Sequence, residues 1–232
     1  HPYVLLNYTG KPRDVMTLGH ELGHGIHDVL SSVQSILVYH PPLALAETAS
    51  VFGEILVFDA LLRQLTDRQQ RLAFLASKIE DLFATTFRQV AMYRFEQRAH
   101  RARRQQGELD SATLGTIWQD ELQAMFGDSL ELTDGHRLWW SYIPHFIHSP
   151  FYVYAYPFGQ FLTLGLYRLY QQEGPAFVAK YRQLFSAGGS VGPRELLASI
   201  GIDIADPGFW RAGMGYIEEL LAEAERLSES PR

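Results

Sequence analysis

Apolar residues along this chain recur mostly at spacings of three and four, which is the period of amphipathic helices. These runs cover most of the sequence and are separated by short segments that contain proline or glycine. The pattern predicts a mainly helical protein. We expect helices over residues 11–31, 43–65, 67–105 (as one helix or two), 111–126, 159–172, 174–185, 193–200 and 207–227.

The first eight residues, HPYVLLNY, differ from the rest of the chain. They are apolar and aromatic, and Thr9-Gly10 ends the run, so they predict a short strand. A strand edge can hold an extended peptide through main-chain hydrogen bonds. It can equally well serve only to pack on the helix that follows.

The helix predicted over residues 11–31 combines an apolar stripe with two glycines. Gly19 and Gly23 each cost about 1 kcal/mol relative to alanine inside a helix, which close approach of another backbone would explain. His20 and His24 fall on a different face from the stripe, at the edge of the expected core. The stripe consists of Val15, Leu18, Leu22, Ile26, Val29 and Val33.

Residues 20–24 read His-Glu-Leu-Gly-His. Residues four apart on a helix lie on one face, so His20 and His24 can offer two imidazole nitrogens to one tetrahedral metal, with zinc the leading candidate. Glu21 is not needed as a ligand and can take a proton from water bound to the metal. The same motif also arises by chance, so the rest of the chain has to support this interpretation.

Acidic residues in the next helix supply that support. Between residues 43 and 60 the charged side chains are Glu47, Glu54 and Asp59, which argue against a membrane span. An ionised carboxylate in so apolar a helix is costly unless it is paired or metal-bound. Glu47 follows His20 by 27 residues, enough for an antiparallel return, and is the predicted third ligand. Glu54 is predicted to accept a hydrogen bond from a ligand histidine, or else to pair with an arginine.

The segment from residue 138 to 158, LWWSYIPHFIHSPFYVYAYPF, is the second candidate for chemistry. Its three prolines prevent one continuous helix. Most of its aromatic rings are expected in the core. Imidazoles and tyrosine hydroxyls, however, can donate to a developing oxyanion, and the candidates are His145, His148, Tyr152, Tyr154 and Tyr156.

Composition narrows the class of protein. With 47% hydrophobic and 20% charged residues the chain fits a soluble globular protein, and its net charge of −6 argues against nucleic acid as a partner. No membrane partner is expected, and we expect a cytoplasmic protein; a signal peptide ahead of His1 stays an open alternative. Because there is no cysteine, any metal must be held by histidine, aspartate or glutamate.

Three blocks of the sequence together resemble the oligoendopeptidase F family, in the thimet-oligopeptidase superfamily of zinc peptidases. They read NYTGKPRDVMTLGHELGHGIH, PLALAETASVFGE and IPHFIHSPFYVYAYPFG. The resemblance spans nearly the whole chain, and AGGSVGPRELLASIGIDIADPGFW near its end is also similar to the family. It implies a zincin-like helical catalytic domain over residues 1–232, a piece that lacks the preceding helical lobe of larger family members.

The resemblance also implies roles for individual residues. It implies one zinc ion per chain on His20, His24 and Glu47, with Glu21 as general base. Tyr154 is the leading oxyanion donor, followed by His145 and Tyr152. Substrate contacts are expected from Tyr152, His148 and His40.

The implied activity is cleavage of internal bonds in short peptides. Two alternatives stay open. One is a dipeptidyl carboxypeptidase of the same superfamily. The other is a non-catalytic lobe that binds zinc or peptide and is inactive without its missing half.

Overall fold

The structure, a computed structural model, describes residues 1–229, with the backbone alone for residues 43 and 44. This part of the chain is mainly helical and contains no strand, which confirms the predicted helical class. None of its helices combines the length and hydrophobicity that crossing a bilayer requires. The helices are α1 (Pro12–Ser31), α2 (Leu43–Gln64), α3 (Arg68–Phe83), α4 (Gln89–Gln106), α5 (Ser111–Phe126), α6 (His145–His148), α7 (Ala155–Glu173), α8 (Phe177–Ser186), α9 (Pro193–Ser199) and α10 (Pro207–Ser228).

Three shorter segments complete the helical structure. A π-helical turn, Ala84–Arg88, joins α3 to α4, so the long run predicted over residues 67–105 is two helices. Single 3-10 segments cover Asp134–Tyr142 and Gly174–Ala176.

The strand predicted over residues 1–8 is wrong. Tyr3 and Leu5 are 87% and 96% exposed. A strand satisfies its backbone hydrogen bonds only by pairing with another strand, and residues 1–229 contain none. The apolar and aromatic composition of this segment therefore does not decide its conformation.

The chain divides into two compact units. The first contains residues 1–80 together with residue 158 onward, and the second contains residues 81–157. The first unit is built on α2, a strongly apolar helix that is largely buried. The Phe52 ring of α2 lies 6.1 Å from that of Tyr167 and stacks on that of Phe177 at 5.9 Å, while Phe58 stacks on Phe74 at 4.9 Å.

The second unit has its own core between α4 and α5. Phe95 and Trp118 meet edge to face with ring centroids 5.4 Å apart. Glu121 is only 2% exposed, and Arg94 and Arg98 pair with its carboxylate at 2.7 and 2.8 Å. A buried carboxylate with this many donors does not leave an unpaired charge in the core.

Helices α1 and α2 touch through their backbones. A Cβ atom added to Gly23 would lie 2.4 Å from the carbonyl oxygen of Ala49, and one added to Gly53 would lie 2.5 Å from that of Gly19. Because the residue number rises along α1 as it falls along α2, the two helices run antiparallel. Close backbone approach is the explanation that the sequence suggested for the glycines.

This contact reverses the orientation that the apolar stripe predicted for α1. The buried residues of α1 are Met16, Gly19, Gly23, His27 and Ser31. Much of the stripe instead faces outward: Leu22 and Ile26 are each 49% exposed, Val29 is 58% exposed and Val33 is 75% exposed. The expectation failed because the flat face of small residues, rather than the most apolar face, allows the two backbones to meet.

Replacement of Gly23 by alanine should destabilise the protein by about 1–3 kcal/mol, the usual range for overpacking. The new methyl group would meet backbone atoms of Ala49 and Ser50 at 2.4 and 2.6 Å, and backbone atoms cannot rotate out of the way. Urea unfolding followed by circular dichroism measures the difference.

The matched control is Gly25→Ala, in the same helix. A Cβ atom there meets only a side-chain atom of Pro2, at an ordinary 3.7 Å. Alanine should therefore stabilise at that position, by up to about 1 kcal/mol, through helix propensity. Equal effects of the two substitutions would show that the backbone contact at Gly23 contributes nothing.

Candidate metal centre

Helix α1 presents His20 and His24 one turn apart. Their rings lie at nearly right angles with centroids 5.0 Å apart. The side chains are 27% and 35% exposed, which leaves both imidazoles reachable from solvent while their helix is anchored at Gly19 and Gly23.

The glycine contact brings Glu47 of α2 opposite these histidines. Its Oε2 atom lies 3.6 Å from Nε2 of His20 and 3.8 Å from Nε2 of His24. The hydroxyl of Ser50, one turn further along α2, donates to the same carboxylate oxygen at 3.2 Å. Three donor atoms, one from each residue, all lie within 4.8 Å of one another.

The chemistry of this donor set fits a zinc ion. Two neutral imidazoles and one carboxylate are a usual set for catalytic zinc, which keeps a fourth position open. Among residues 1–229, side chains capable of binding a metal converge in this way at His20, His24 and Glu47.

Glu54 links this group to the interior. Its Oε2 atom lies 3.4 Å from Nδ1 of His20, and its Oε1 atom accepts from the ammonium of Lys78 at 2.6 Å. Burial acts to raise the pKa of Glu54, but the hydrogen bond with His20 and the charge of Lys78 outweigh it and lower that pKa to about 2. The hydrogen bond to Glu54 raises the pKa of His20 against the effect of burial.

The partner of Glu54 inside the protein is therefore a lysine, where the sequence had suggested an arginine as the alternative to histidine. Both predicted kinds of contact exist at once, one on each carboxylate oxygen.

Glu21, His27 and His40 also lie in the first unit. Glu21 is partly exposed on α1, beside His20 in sequence. His27 is 5% exposed, packs edge to face on Phe185 at 4.8 Å, and has its pKa lowered to about 4 by burial, so it is an uncharged core residue. His40 is exposed and lies against the ring of Tyr39 at 4.8 Å.

The remaining predicted residues lie in the second unit. The ring of His145 stacks on that of Tyr152 with an angle of 8° between planes, and its Nε2 lies 3.2 Å from the hydroxyl of Tyr156. Tyr154 is 49% exposed and packs on Tyr93 at 5.8 Å. His148 is exposed at the end of α6.

An acid that the sequence did not single out holds this loop. Glu96 is 1% exposed and accepts the backbone N–H of Phe151 at 2.8 Å. Phe151 has a φ of 60°, a left-handed conformation that is strained for a bulky residue. Burial raises the pKa of Glu96, although the hydrogen bond from Phe151 opposes that shift.

Lys78 is the other residue that the sequence did not single out. It sits one turn after Phe74 and one turn before Leu82 on the buried side of α3, and its side chain is 3% exposed. The sequence signal for this residue was its position on the apolar stripe of α3. A lysine at a buried position needs a partner, because lysine is almost never fully buried without one.

The chain is similar in sequence to known proteins over most of its length. Residues 1–216 match the model of peptidase family M3. The chain belongs to peptidase family M3. Among curated M3-like relatives it is 33% identical to the oligopeptidase PepF of Bacillus subtilis strain 168 and 28% identical to the chromosomal oligoendopeptidase F of Lactococcus lactis subsp. cremoris. Each alignment covers 98% of this chain, but only 34% and 38% of the respective relative.

Solved structures give the same result for the fold. A crystal structure of a Chlamydophila abortus protein aligns with a TM-score of 0.89 at 30% identity, over 98% of this M3 chain and 38% of the other. The oligoendopeptidase F of Enterococcus faecium aligns with a TM-score of 0.79 at 26% identity, over 91% and 38%. The chain thus spans a little over a third of the length of these structures.

Proposed function

We propose that this chain carries the catalytic centre of a zinc endopeptidase that hydrolyses internal bonds of short peptides. The observation that supports this most is the convergence of His20, His24 and Glu47 in a chain of peptidase family M3. The relatives it resembles are oligopeptidases by name, and short peptides are accordingly the proposed substrates.

In this proposal His20 and His24 bind the zinc through Nε2 and Glu47 binds it through a carboxylate oxygen. A zinc ion there would supply Lewis acidity, which lowers the pKa of water at its open position to about 7 and polarises a carbonyl. Glu54 keeps the Nδ1 proton of His20 on the side away from the metal, which fixes the ring and leaves Nε2 as the donor.

Glu21 acts as the general base. It follows His20 directly, so it is positioned on the same turn of α1 as the ligands without belonging to the ligand group. It takes the proton of the attacking water and passes it to the leaving amine, a role worth about 10²- to 10⁴-fold in rate.

Stabilisation of the developing oxyanion is assigned to the hydroxyl of Tyr154, with His145 of α6 and Tyr152 as further contacts. His148 and His40 are proposed to contact the substrate peptide. The hydroxyl of Tyr154 can donate to an oxyanion, and the residue is 49% exposed and therefore open to a ligand.

The experiment that tests the function is cleavage of an internally quenched oligopeptide after removal of metal. We expect the chain to lose cleavage when treated with a chelator and to recover it on addition of one equivalent of zinc. Mass spectrometry of the products should place the cut inside the peptide. Removal of two residues at a time from the carboxyl end would instead indicate a dipeptidyl carboxypeptidase.

A second candidate is a zinc-binding lobe that does not turn over by itself. Its support is the coverage of 34–38% of the relatives' length. Binding of one zinc per chain without any cleavage of the peptide would favour this second candidate.

Tyr154→Phe should lower kcat by about 10²- to 10³-fold, the usual cost of losing one oxyanion donor, with a smaller effect on KM. The control is Tyr142→Phe in the same aromatic segment, where the hydroxyl accepts from Arg88 at 2.7 Å and has no assigned role in catalysis. Steady-state kinetics of both variants decide the matter. A change in KM alone would make Tyr154 a substrate contact.

A further inference from the structure

A buried lysine stands behind the candidate metal centre. The side chain of Lys78 is 3% exposed, and its Nζ atom lies 2.6 Å from Oε1 of Glu54 and 5.7 Å from the ring centroid of Phe58. Removing an ammonium from water is costly, and the structure meets that cost with one carboxylate and one aromatic face.

The two carboxylate oxygens of Glu54 have different partners. Oε1 accepts from Lys78, whereas Oε2 faces Nδ1 of His20 at 3.4 Å. A simple ion pair would need only the first of these contacts. The three side chains form a continuous series from the interior of the first unit to a proposed zinc ligand.

The direction of each contact fixes the geometry of the next. Oε1 of Glu54 is tied to an ammonium that is itself held in the core, so the carboxylate cannot rotate freely. Its Oε2 atom then accepts the Nδ1 proton of His20, which leaves Nε2 pointing to the side where Glu47 lies at 3.6 Å.

We propose that Lys78 is a positioning residue of the metal centre, which anchors Glu54 so that Glu54 orients His20 for zinc. This inference rests on the proposed zinc site. It assigns to Lys78 an effect on metal affinity, exerted entirely through Glu54 and without contact with the metal or the substrate.

Removal of the ammonium should weaken the site in a definite way. Without Lys78 the carboxylate of Glu54 is a largely buried charge with a single remaining partner, and turning toward solvent relieves that cost. His20 then loses the acceptor on its Nδ1 atom. Loss of such an outer partner commonly lowers metal affinity about 10- to 100-fold.

The test is the zinc dissociation constant of the chain, measured by competition with a chelator of known affinity at one neutral pH. Lys78→Met should raise that constant about 10-fold or more. In a Glu54→Gln background, where the carboxylate is already gone, the same substitution should change it by less than about 2-fold, because interacting residues have non-additive effects.

Lys180 provides a matched control. Its Nζ atom lies 2.6 Å from Oε1 of Glu173, the same separation as in the Lys78 pair, but neither residue belongs to the proposed ligand group or is paired with Glu54. Lys180→Met removes an ion pair of equal length and should leave the zinc dissociation constant unchanged. Urea unfolding of each metal-free variant reports on the fold separately.

Three results would overturn the proposal. One is unchanged zinc affinity in a folded Lys78→Met chain. Another is an equal loss of affinity with and without Glu54→Gln. The third is a Lys78→Met chain that does not fold, with or without the second substitution, since Lys78 would then be a residue of the fold alone.

A further substitution tests the proposed zinc site separately from the proposed role of Lys78. Glu47→Gln removes a proposed ligand and should weaken zinc binding more than Lys78→Met does. Dependence on Glu47 without dependence on Lys78 defeats only the inference. Zinc binding that depends on neither residue defeats the proposed zinc site.

Discussion

Glu21→Gln should abolish nearly all peptide cleavage while the chain still binds one zinc ion. Glutamine has almost the same size as glutamate but cannot accept a proton at neutral pH. General acid–base catalysis contributes about 10²- to 10⁴-fold, and Glu21 is proposed to act both in attack by water and in departure of the amine. The loss of cleavage rate in this variant should therefore lie toward the upper end of that range.

The measurement pairs the initial rate on a quenched peptide with a zinc titration of the same preparation. Glu195→Gln is a matched control, because Glu195 is an exposed acid in the first turn of α9 and is not a member of the proposed ligand group. Loss of zinc together with activity would move Glu21 into the ligand group. Activity within a few fold of the parent chain would remove Glu21 from the mechanism.

Glu47→Gln should raise the zinc dissociation constant by more than about 100-fold. That figure follows because loss of a partner outside the ligand group already costs about 10- to 100-fold, and a ligand binds the metal directly. The neutral amide is a weak zinc ligand, and it cannot compensate the charge of the ion. Cleavage at limiting zinc should fall in parallel and should recover in part when zinc is raised.

Chelator competition measures this constant, and Glu21→Gln serves as the control because it removes a neighbouring carboxylate that is not a proposed ligand. The apo form should keep its fold, since Glu47 is 37% exposed on its side chain and its main internal contacts are with Ser50 and the two histidines. An affinity equal to that of the parent chain would contradict the ligand assignment.

Much of the fold could be predicted from the sequence because its signals are local. The final helix begins at Pro207 with Asp206 accepting from the N–H of Gly208, as the Asp-Pro pair suggested. Helix α5 covers Ser111–Phe126 as predicted, with Asp110 accepting from Thr113 at its start and Gly127 at its end. Turns, caps and helical periods are properties of neighbouring residues.

The failures concern properties that no local pattern contains. Residues 1–8 have a strand-like composition, but strand formation depends on a partner elsewhere in the chain. The outward face of Leu22 and Ile26 follows from which surface of α1 meets α2. That choice depends on the second helix and is invisible in the first.

The candidate site also has a part that could be predicted from the sequence and a part that could not. The spacing of His20 and His24 on a helix and the return of the chain to Glu47 both follow from sequence distance, and the three donor atoms do lie within 4.8 Å. The position of Lys78 on the apolar stripe of α3 hinted at its burial, but the partners that allow Lys78 and Glu96 to be buried come from elsewhere in the folded chain.

The backbone contact at Gly19 and Gly23 has a thermodynamic consequence for metal binding. Peptide groups rather than flexible side chains set the distance between α1 and α2, so the fold itself holds in place the two helices that carry the three donor atoms. Little ordering is left to occur on loading, in contrast to small zinc modules that are unfolded without their metal. The melting temperature of the metal-free chain should therefore stay well defined, and added zinc should raise it only by the mass-action amount set by ion concentration and dissociation constant.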